Sequence, residues 1–472
     1  MRKTKIICTL GPAVDSEEMI RGLVKNGMNA ARFNFSHGTH ETHLALLHKL
    51  HHVRDELGTP IATILDTKGP EIRVKGFSTG PVTLEEGMKF TLTTDEIDGT
   101  LEGVSVTYAN LHNELSAGAT VLIDDGLISL SVDEIVGNNI ICTVVEGGVL
   151  SSNKSINIPN VNIQLPSLTD KDKADIKFAV ENDFDFIAAS FVRKASDIED
   201  IRTELRLHGG EKIRIIAKIE NQEGVDNLDE IIKASDGLMV ARGDLGVEIP
   251  AHEVPVLQKE MIQSCISKEK PVITATQMLD SMIRHPRPTR AEVSDVANAV
   301  FDGTSCVMLS GETASGLYPV EALKTMVDTI NSAENAINYW GRFTKTEFVA
   351  GKLISDAISH SCCITAKDLG AKAILAATQS GNTARGISRF RPACPIVALT
   401  TTERSRRQLA ITWGVQPVLC GQVDSTDRMF SLCVDCTKKE GIVDTGDLVV
   451  ITAGIPLGQT GTTNLIKAQE VL

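Results

Sequence analysis

Aromatic residues are scarce in this 472-residue chain, at 4%. The interior must therefore be filled by Val, Ile, Leu and Ala, the composition of sheets buried on both faces. Long apolar runs are missing too. Nothing approaches the ~20 uninterrupted apolar residues a membrane span needs, so no membrane partner is expected. The start, Met1-Arg2-Lys3-Thr4-Lys5 before Ile6-Ile7-Cys8, has an apolar run too short for a secretory leader. Positive charge is in deficit, with a formal net charge of -14. That disfavours nucleic acid as a partner, which requires a basic footprint. It leaves room for a local basic pocket that takes an anionic metabolite. No low-complexity tract appears, and there is no disulfide framework. Ten cysteines are scattered along the chain, as in reduced cytoplasmic proteins. Cys433 and Cys436 form a Cys-x-x-Cys within a helical segment and lack a second pair.

What is present is a chain too long for one ordinary core, with 42% apolar and 23% charged residues, so two or three domains are expected. Short apolar runs separated by amphipathic stretches recur at 5–10, 29–35, 61–66, 184–191, 213–219, 237–241, 271–276 and 306–309. Asp15 with Glu18, and Ser196 with Glu199, have capping-box spacing. Gly27 and Gly209-Gly210 close the helices that follow. This βα rhythm predicts an α/β fold, a TIM-type (β/α)8 barrel. Residues 70–165 break the rhythm with alternating β-type segments at 89–93, 104–107, 120–123, 128–132 and 140–145. They read as a small β-barrel lid inserted in a βα loop. The pattern restarts near 345 with runs at 373–377, 396–399, 415–419 and 448–452, an open α/β domain. The expected domains are a barrel (1–69 and 166–344), a lid (70–165) and a C-terminal α/β domain (345–472).

In such barrels chemistry lies where the strands end. Most ends here carry ionisable or hydroxyl groups: Arg32-Phe33-Asn34-Phe35-Ser36-His37, Asp66-Thr67-Lys68, Lys218-Ile219-Glu220, Arg242-Gly243-Asp244, Thr276-Gln277 and Ser310-Gly311-Glu312. Glu220 and Asp244 end neighbouring strands. Two carboxylates facing one space repel unless a cation lies between them, and oxygen-only ligands suit Mg²⁺ or Mn²⁺. The plainer alternative is a carboxylate paired with Lys218 or Arg242. Arg32, Arg73 and Lys218 supply charge for a phosphate. Like charges ~4 Å apart cost ~4 kcal/mol at an effective dielectric near 20, so bringing a phosphoanion to a polyphosphate takes several cations. The string nearest a P-loop, Gly148 to Ser155, lacks the second glycine. Lys154 within it remains a phosphate candidate on the lid. His37, His40 and His43 have a spacing that admits zinc, but they resemble the first turns of a helix more closely.

At these strand ends the chain resembles the pyruvate kinases. The strings that carry the likeness include Ala31-Arg-Phe-Asn-Phe-Ser-His-Gly38, Leu65-Asp-Thr-Lys-Gly-Pro-Glu-Ile-Arg73, Ala217-Lys-Ile-Glu-Asn221, Met239-Val-Ala-Arg-Gly-Asp-Leu-Gly-Val-Glu-Ile-Pro250 and Met308-Leu-Ser-Gly-Glu-Thr313. The resemblance implies phosphoenolpyruvate and ADP as substrates, pyruvate and ATP as products, and Mg²⁺ (or Mn²⁺) and K⁺ as cofactors. It implies Arg32, Lys218, Gly243, Asp244 and Thr276 as substrate contacts, with Glu220 and Asp244 as divalent-metal ligands. Asn34, Ser36, Asp66 and Thr67 match a monovalent-cation site. Asn34, Phe35, Ser36, His37, Arg73 and Lys154 match nucleotide contacts. Thr276, with Ser310 and Glu312 behind it, is placed to help protonate the enolate. Glu71 accompanies K⁺ dependence in this family. Thr378, Ser380, Gly381, Asn382 and Thr383, facing Gly458 to Thr463, resemble a regulatory loop for a sugar-phosphate or nucleotide effector. A homotetramer is the family expectation. The further phosphohistidine-type domain of some bacterial relatives is not expected, because the sequence ends at Leu472. The rival readings are a metal-dependent pyruvate aldolase or lyase, which has no need of the lid, and a metabolite sensor that has lost its chemistry.

Overall fold

The structure, a computed structural model, describes residues 1–346, 353–457 and 461–472. Eight parallel strands close into a barrel: Lys5–Thr9, Ala30–Asn34, Ala62–Asp66, Phe186–Ala189, Arg214–Ile219, Gly237–Ala241, Val272–Ala275 and Cys306–Leu309. Each overlaps the apolar run expected for it. Nearly every residue in these strands is buried, because side chains fill the barrel on one face and meet the helices on the other. The fourth strand is shorter than its apolar run. Phe191 takes a left-handed backbone, φ 55°, which a strand cannot continue through.

Two expected helix starts are corrected. Ser16, not Asp15, caps the helix Glu17–Lys25, its hydroxyl accepting from the Met19 N–H. The helix Ala195–Leu207 has no side-chain cap. Asp197, not Ser196, does the local work by accepting from Arg193 N–H at 3.0 Å. Reciprocal capping boxes occur instead at Thr39/Thr42, Thr169/Asp172 and Thr289/Glu292.

The insertion forms a seven-stranded sheet and a separate pair of short strands. The five expected segments are strands. Ile72–Arg73, Val82–Leu84, Gly148–Leu150 and Ser155–Asn157 are added, each too short to show alternation. A bridge between Val74 and Val106 joins the first strand of the sheet to the last. Lys75 N–H donates to Ser105 O at 2.8 Å beside it, so the sheet curls into a small barrel around its own core of Val, Ile and Leu.

The C-terminal sheet has five strands. The four expected runs lie parallel, and an antiparallel edge strand, Thr463–Glu470, is added. Its sequence, TNLIKAQE, hides it because both faces carry polar residues. Cys433 and Cys436 lie in the helix Thr426–Lys439, and burial raises both thiols. All ten cysteines are free. No described helix is long and apolar enough to cross a membrane.

The C-terminal sheet docks beneath the barrel through charge. Arg407 Nε donates to both oxygens of Asp185, at 2.9 and 3.0 Å, and Asp185 in turn accepts from Thr63 N–H. Both residues are buried. Removing one partner strands the other charge, at a cost of ~3–5 kcal/mol. Arg407→Leu is therefore expected to lower the urea midpoint markedly, and Asp185→Asn/Arg407→Leu together to recover much of the loss. Unfolding followed by circular dichroism checks both.

Candidate active site

The barrel strands bring their polar ends together by register alone. Asn34 and Asp66 are partners across the second and third strands, and Asp66 faces Ala188 across the next pair. Asp66 becomes the hub. Its Oδ2 accepts from Arg32 Nε at 2.6 Å, and its Oδ1 from Lys218 Nζ at 3.1 Å. Lys218 Nζ also lies 3.0 Å from Glu220 Oε1 and 2.7 Å from Ser190 Oγ. Arg32 donates further to Thr9 Oγ1, at 3.1 Å. The group is secluded: Asp66 and Glu220 are each 1% exposed, Lys218 8% and Arg32 9%.

Burial works against every one of these charges, and the partners decide the outcome. Burial raises the Asp66 carboxyl, but Arg32 and Lys218 bring it below its ordinary value. Burial lowers the Lys218 ammonium, but Asp66 and Glu220 lift it above the usual lysine range. Glu220 moves the other way. Burial, reinforced by Asp244, raises its carboxyl despite Lys218. Burial likewise raises Asp244, with Asp125 and Glu71 adding to it. A buried carboxyl and a half-buried one, close enough to interact and both raised by burial, suit a divalent cation between them. Among the described residues no group of three or more His, Cys, Asp or Glu is placed to hold a metal. Glu220 and Asp244 would offer such an ion two carboxylates, leaving water and substrate oxygens to complete its shell. That division fits Mg²⁺ or Mn²⁺ rather than zinc.

Thr276 ends the seventh strand in a left-handed conformation, φ 66°. Its hydroxyl accepts from Gly243 N–H and donates to Ala275 O, both at 2.7 Å, so Gly243 and Thr276 form one unit. Glu312 gives both oxygens to main-chain N–H groups, of Leu279 at 3.0 Å and Ser310 at 2.7 Å. It thereby shapes the end of the eighth strand. Ser310 Oγ is buried with no hydrogen-bond partner. Arg242, the alternative partner for a carboxylate, is committed to Asp295 at 2.7 Å.

Several expected residues sit differently from the simplest reading. Phe35 is buried against His43, with ring centroids 4.1 Å apart, so only its backbone is available to a ligand. Asn34 Oδ1 accepts from Ser36 N–H at 3.1 Å. Thr67 Oγ1 accepts from Ser190 N–H at 3.2 Å. His43 Nε2 is 2.8 Å from His37 O, and His40 Nε2 is 2.7 Å from Asp175. The three histidines thus belong to the first turn of the helix His40–Leu57 and the loop before it. On the lid, strand pairing sets Arg73 opposite Ser155, beside Lys154. Lys154 Nζ reaches Asp124 at 2.8 Å, and Arg73 is paired with Glu71 and bonded to Asn153 O.

Residues 1–323 match the family model described as pyruvate kinase, barrel domain, and residues 356–468 the one described as pyruvate kinase, alpha/beta domain. The chain belongs to the pyruvate kinase family. It is 50% identical over 472 residues to the pyruvate kinase of Clostridium acetobutylicum, spanning the whole of both chains. It is 51% identical to that of Geobacillus stearothermophilus, covering all of this chain and 80% of the relative. A crystal structure of a pyruvate kinase from Cryptosporidium parvum superposes with a TM-score of 0.94 at 40% identity, over 100% of this chain and 96% of that one. Membership makes the chain a phosphotransferase enzyme.

Sequence reasoning missed Ser190 and Thr9, the neutral hydroxyls that hold Lys218 and Arg32. Ser190 directly follows the fourth strand, so a polar residue just past a buried strand was the available signal. Ser190→Ala removes one hydrogen bond from the ammonium, worth about 1 kcal/mol. Turnover is expected to fall about fivefold with the melting temperature nearly unchanged, read by steady-state kinetics beside calorimetry.

Proposed function

We propose that the enzyme transfers the phosphoryl group of phosphoenolpyruvate to ADP, giving pyruvate and ATP. The observation that carries the reading is the buried ion-pair cluster of Arg32, Asp66, Lys218 and Glu220 at the barrel mouth. Arg32 holds the substrate phosphate. Lys218, kept protonated by Asp66 and Glu220, acts as a fixed positive charge for the moving phosphoryl group. Thr276 and Gly243 orient the enolate, and the proton reaches carbon from water at the Thr276 hydroxyl. Ser310 and Glu312, at the end of the eighth strand, support the loop that follows Thr276 through the Leu279 N–H. Asn34, Ser36 and His37, with the Phe35 backbone, and Arg73 and Lys154 across the lid, take the nucleotide.

Glu220 and Asp244 would hold Mg²⁺ or Mn²⁺, which supplies charge for the enolate oxygen and the phosphates when bound. Asn34, Ser36, Asp66 and Thr67 present only oxygen donors and would hold K⁺. The domain limits are those of the sequence reading: 1–69 with 166–344, 70–165, and 345–472. A cavity of about 320 Å³ in the C-terminal domain is lined by Thr378, Ser380, Asn382 and Thr383. We assign it to a phosphorylated effector, with allosteric control of the barrel. Gly381, φ 85°, turns that loop, while residues 458–460 of the facing loop lie outside the described residues. The assembly is taken as a homotetramer and the compartment as cytoplasm, in keeping with ten free thiols.

Pyruvate formation that requires ADP, followed through lactate dehydrogenase, tests the reaction. A product formed without ADP points to the lyase reading instead. Lys218→Met is expected to lower turnover at least a hundredfold while leaving the circular dichroism spectrum unchanged. Replacing K⁺ by tetramethylammonium is expected to abolish most activity. Full activity in that salt would remove the monovalent-cation site.

A further inference from the structure

A third cavity, of about 420 Å³, lies apart from the barrel mouth and the C-terminal loop cavity. Its walls come from the ends of the helices Val254–Ser267 and Arg290–Asp302, from the helix Tyr339–Lys345, and from residues 389–391. Two properties define its chemistry.

The first is rings. Tyr339, Phe343, Phe390 and Trp413 line it, in a chain that is only 4% aromatic. Tyr339 and Trp413 have centroids 5.3 Å apart, and Phe343 and Phe390 meet edge to face at 6.2 Å.

The second is positive charge in an acidic protein. Arg342, Arg389 and Arg391 line the cavity. Its lining carboxylate, Asp302, is paired with Lys259. Arg389 is paired with Glu269 at 3.0 Å and Asp356 at 3.5 Å. No carboxylate among the described residues forms an ion pair with Arg391 or Arg342. Among the described residues Arg391 donates to neutral groups alone, including Ser388 O at 2.9 Å and Gly303 O at 3.0 Å. Its guanidinium carbon lies 4.6 Å over the Trp413 ring. Its Nε is buried with no partner. Burial brings this guanidinium down to about 9, the mark of a cation that lacks a counter-charge.

We propose that this cavity binds a small anion carrying a flat ring, with its phosphate or carboxylate on Arg391 and Arg342 and its ring among the aromatic walls. The volume suits a ligand of nucleoside-monophosphate size. Guanidinium binds either anion strongly in such surroundings, and the rings reward a planar partner. The site is independent of the phosphoryl-transfer reading, since none of its residues belongs to the barrel mouth.

Calorimetric titration of the full chain tests it, with a purine nucleoside monophosphate and indole-3-carboxylate as ring-bearing anions and inorganic phosphate and indole as their separate halves. At least one ring-bearing anion is expected to bind below about 1 mM, with both halves at least tenfold weaker. Which of the two binds tells nucleotide from aryl carboxylate. Arg391→Met should weaken binding at least tenfold and Arg342→Gln about threefold. Asn382→Ala, in the other cavity, should leave it unchanged. The proposal fails if neither ring-bearing anion binds below about 10 mM, if phosphate or indole binds as tightly, or if binding survives both arginine substitutions. Should Arg391→Met not fold, Arg342→Gln and Phe343→Ala decide, and unchanged affinity in both overturns the site.

Discussion

One buried carboxylate organises the barrel mouth. Asp66 gives one oxygen to Arg32 and the other to Lys218, and both cations would be poorly tolerated at this depth without it. Desolvation of four charges is costly, and the cost is offset by placing each within reach of an opposite charge and of neutral hydroxyls from Thr9 and Ser190. The consequence is preorganisation. The ammonium and guanidinium are already fixed in place by these partners, so in the proposed function no reorganisation is required when the anions arrive. Glu220 and Asp244 are the exception. Burial raises both carboxyls even beside Lys218, so in the proposed function this corner is the part left for a divalent cation.

The barrel was legible in the sequence because its strands are short apolar runs broken by helices, and because parallel register carries the residues at their ends to one face. The charged members of the site were legible for the same reason. Ser190 and Thr9 were not, since a hydroxyl beside a buried strand has the same appearance whether it caps a turn or holds a lysine. The role of Phe35 was blurred by its motif, as neighbouring residues with side chains pointing into the core and to the ligand share one string. The starts of the helices Glu17–Lys25 and Ala195–Leu207 were displaced by one and two residues because several acceptors stood side by side. The edge strand Thr463–Glu470 and the shortest lid strands show too little alternation to separate them from loops.

The barrel and the C-terminal sheet are joined by more than packing. Arg407 enters the base of the barrel to meet Asp185, and Gln408 bonds Arg214 Nε at 3.0 Å. Arg214 also donates to Ser380 O, at 3.0 Å. It opens the strand whose far end carries Lys218, so a wall of the C-terminal cavity and the mouth of the barrel touch the same six-residue strand.

The bridge from Val74 to Val106 has a mechanical meaning. Because it closes the inserted sheet into a cylinder, the first and last strands are tied to each other rather than left as open edges. Arg73 ends one strand of that cylinder, and Lys154 immediately precedes the strand paired with it. The two side chains are therefore anchored as the two jaws of one gripper rather than as two separate fingers.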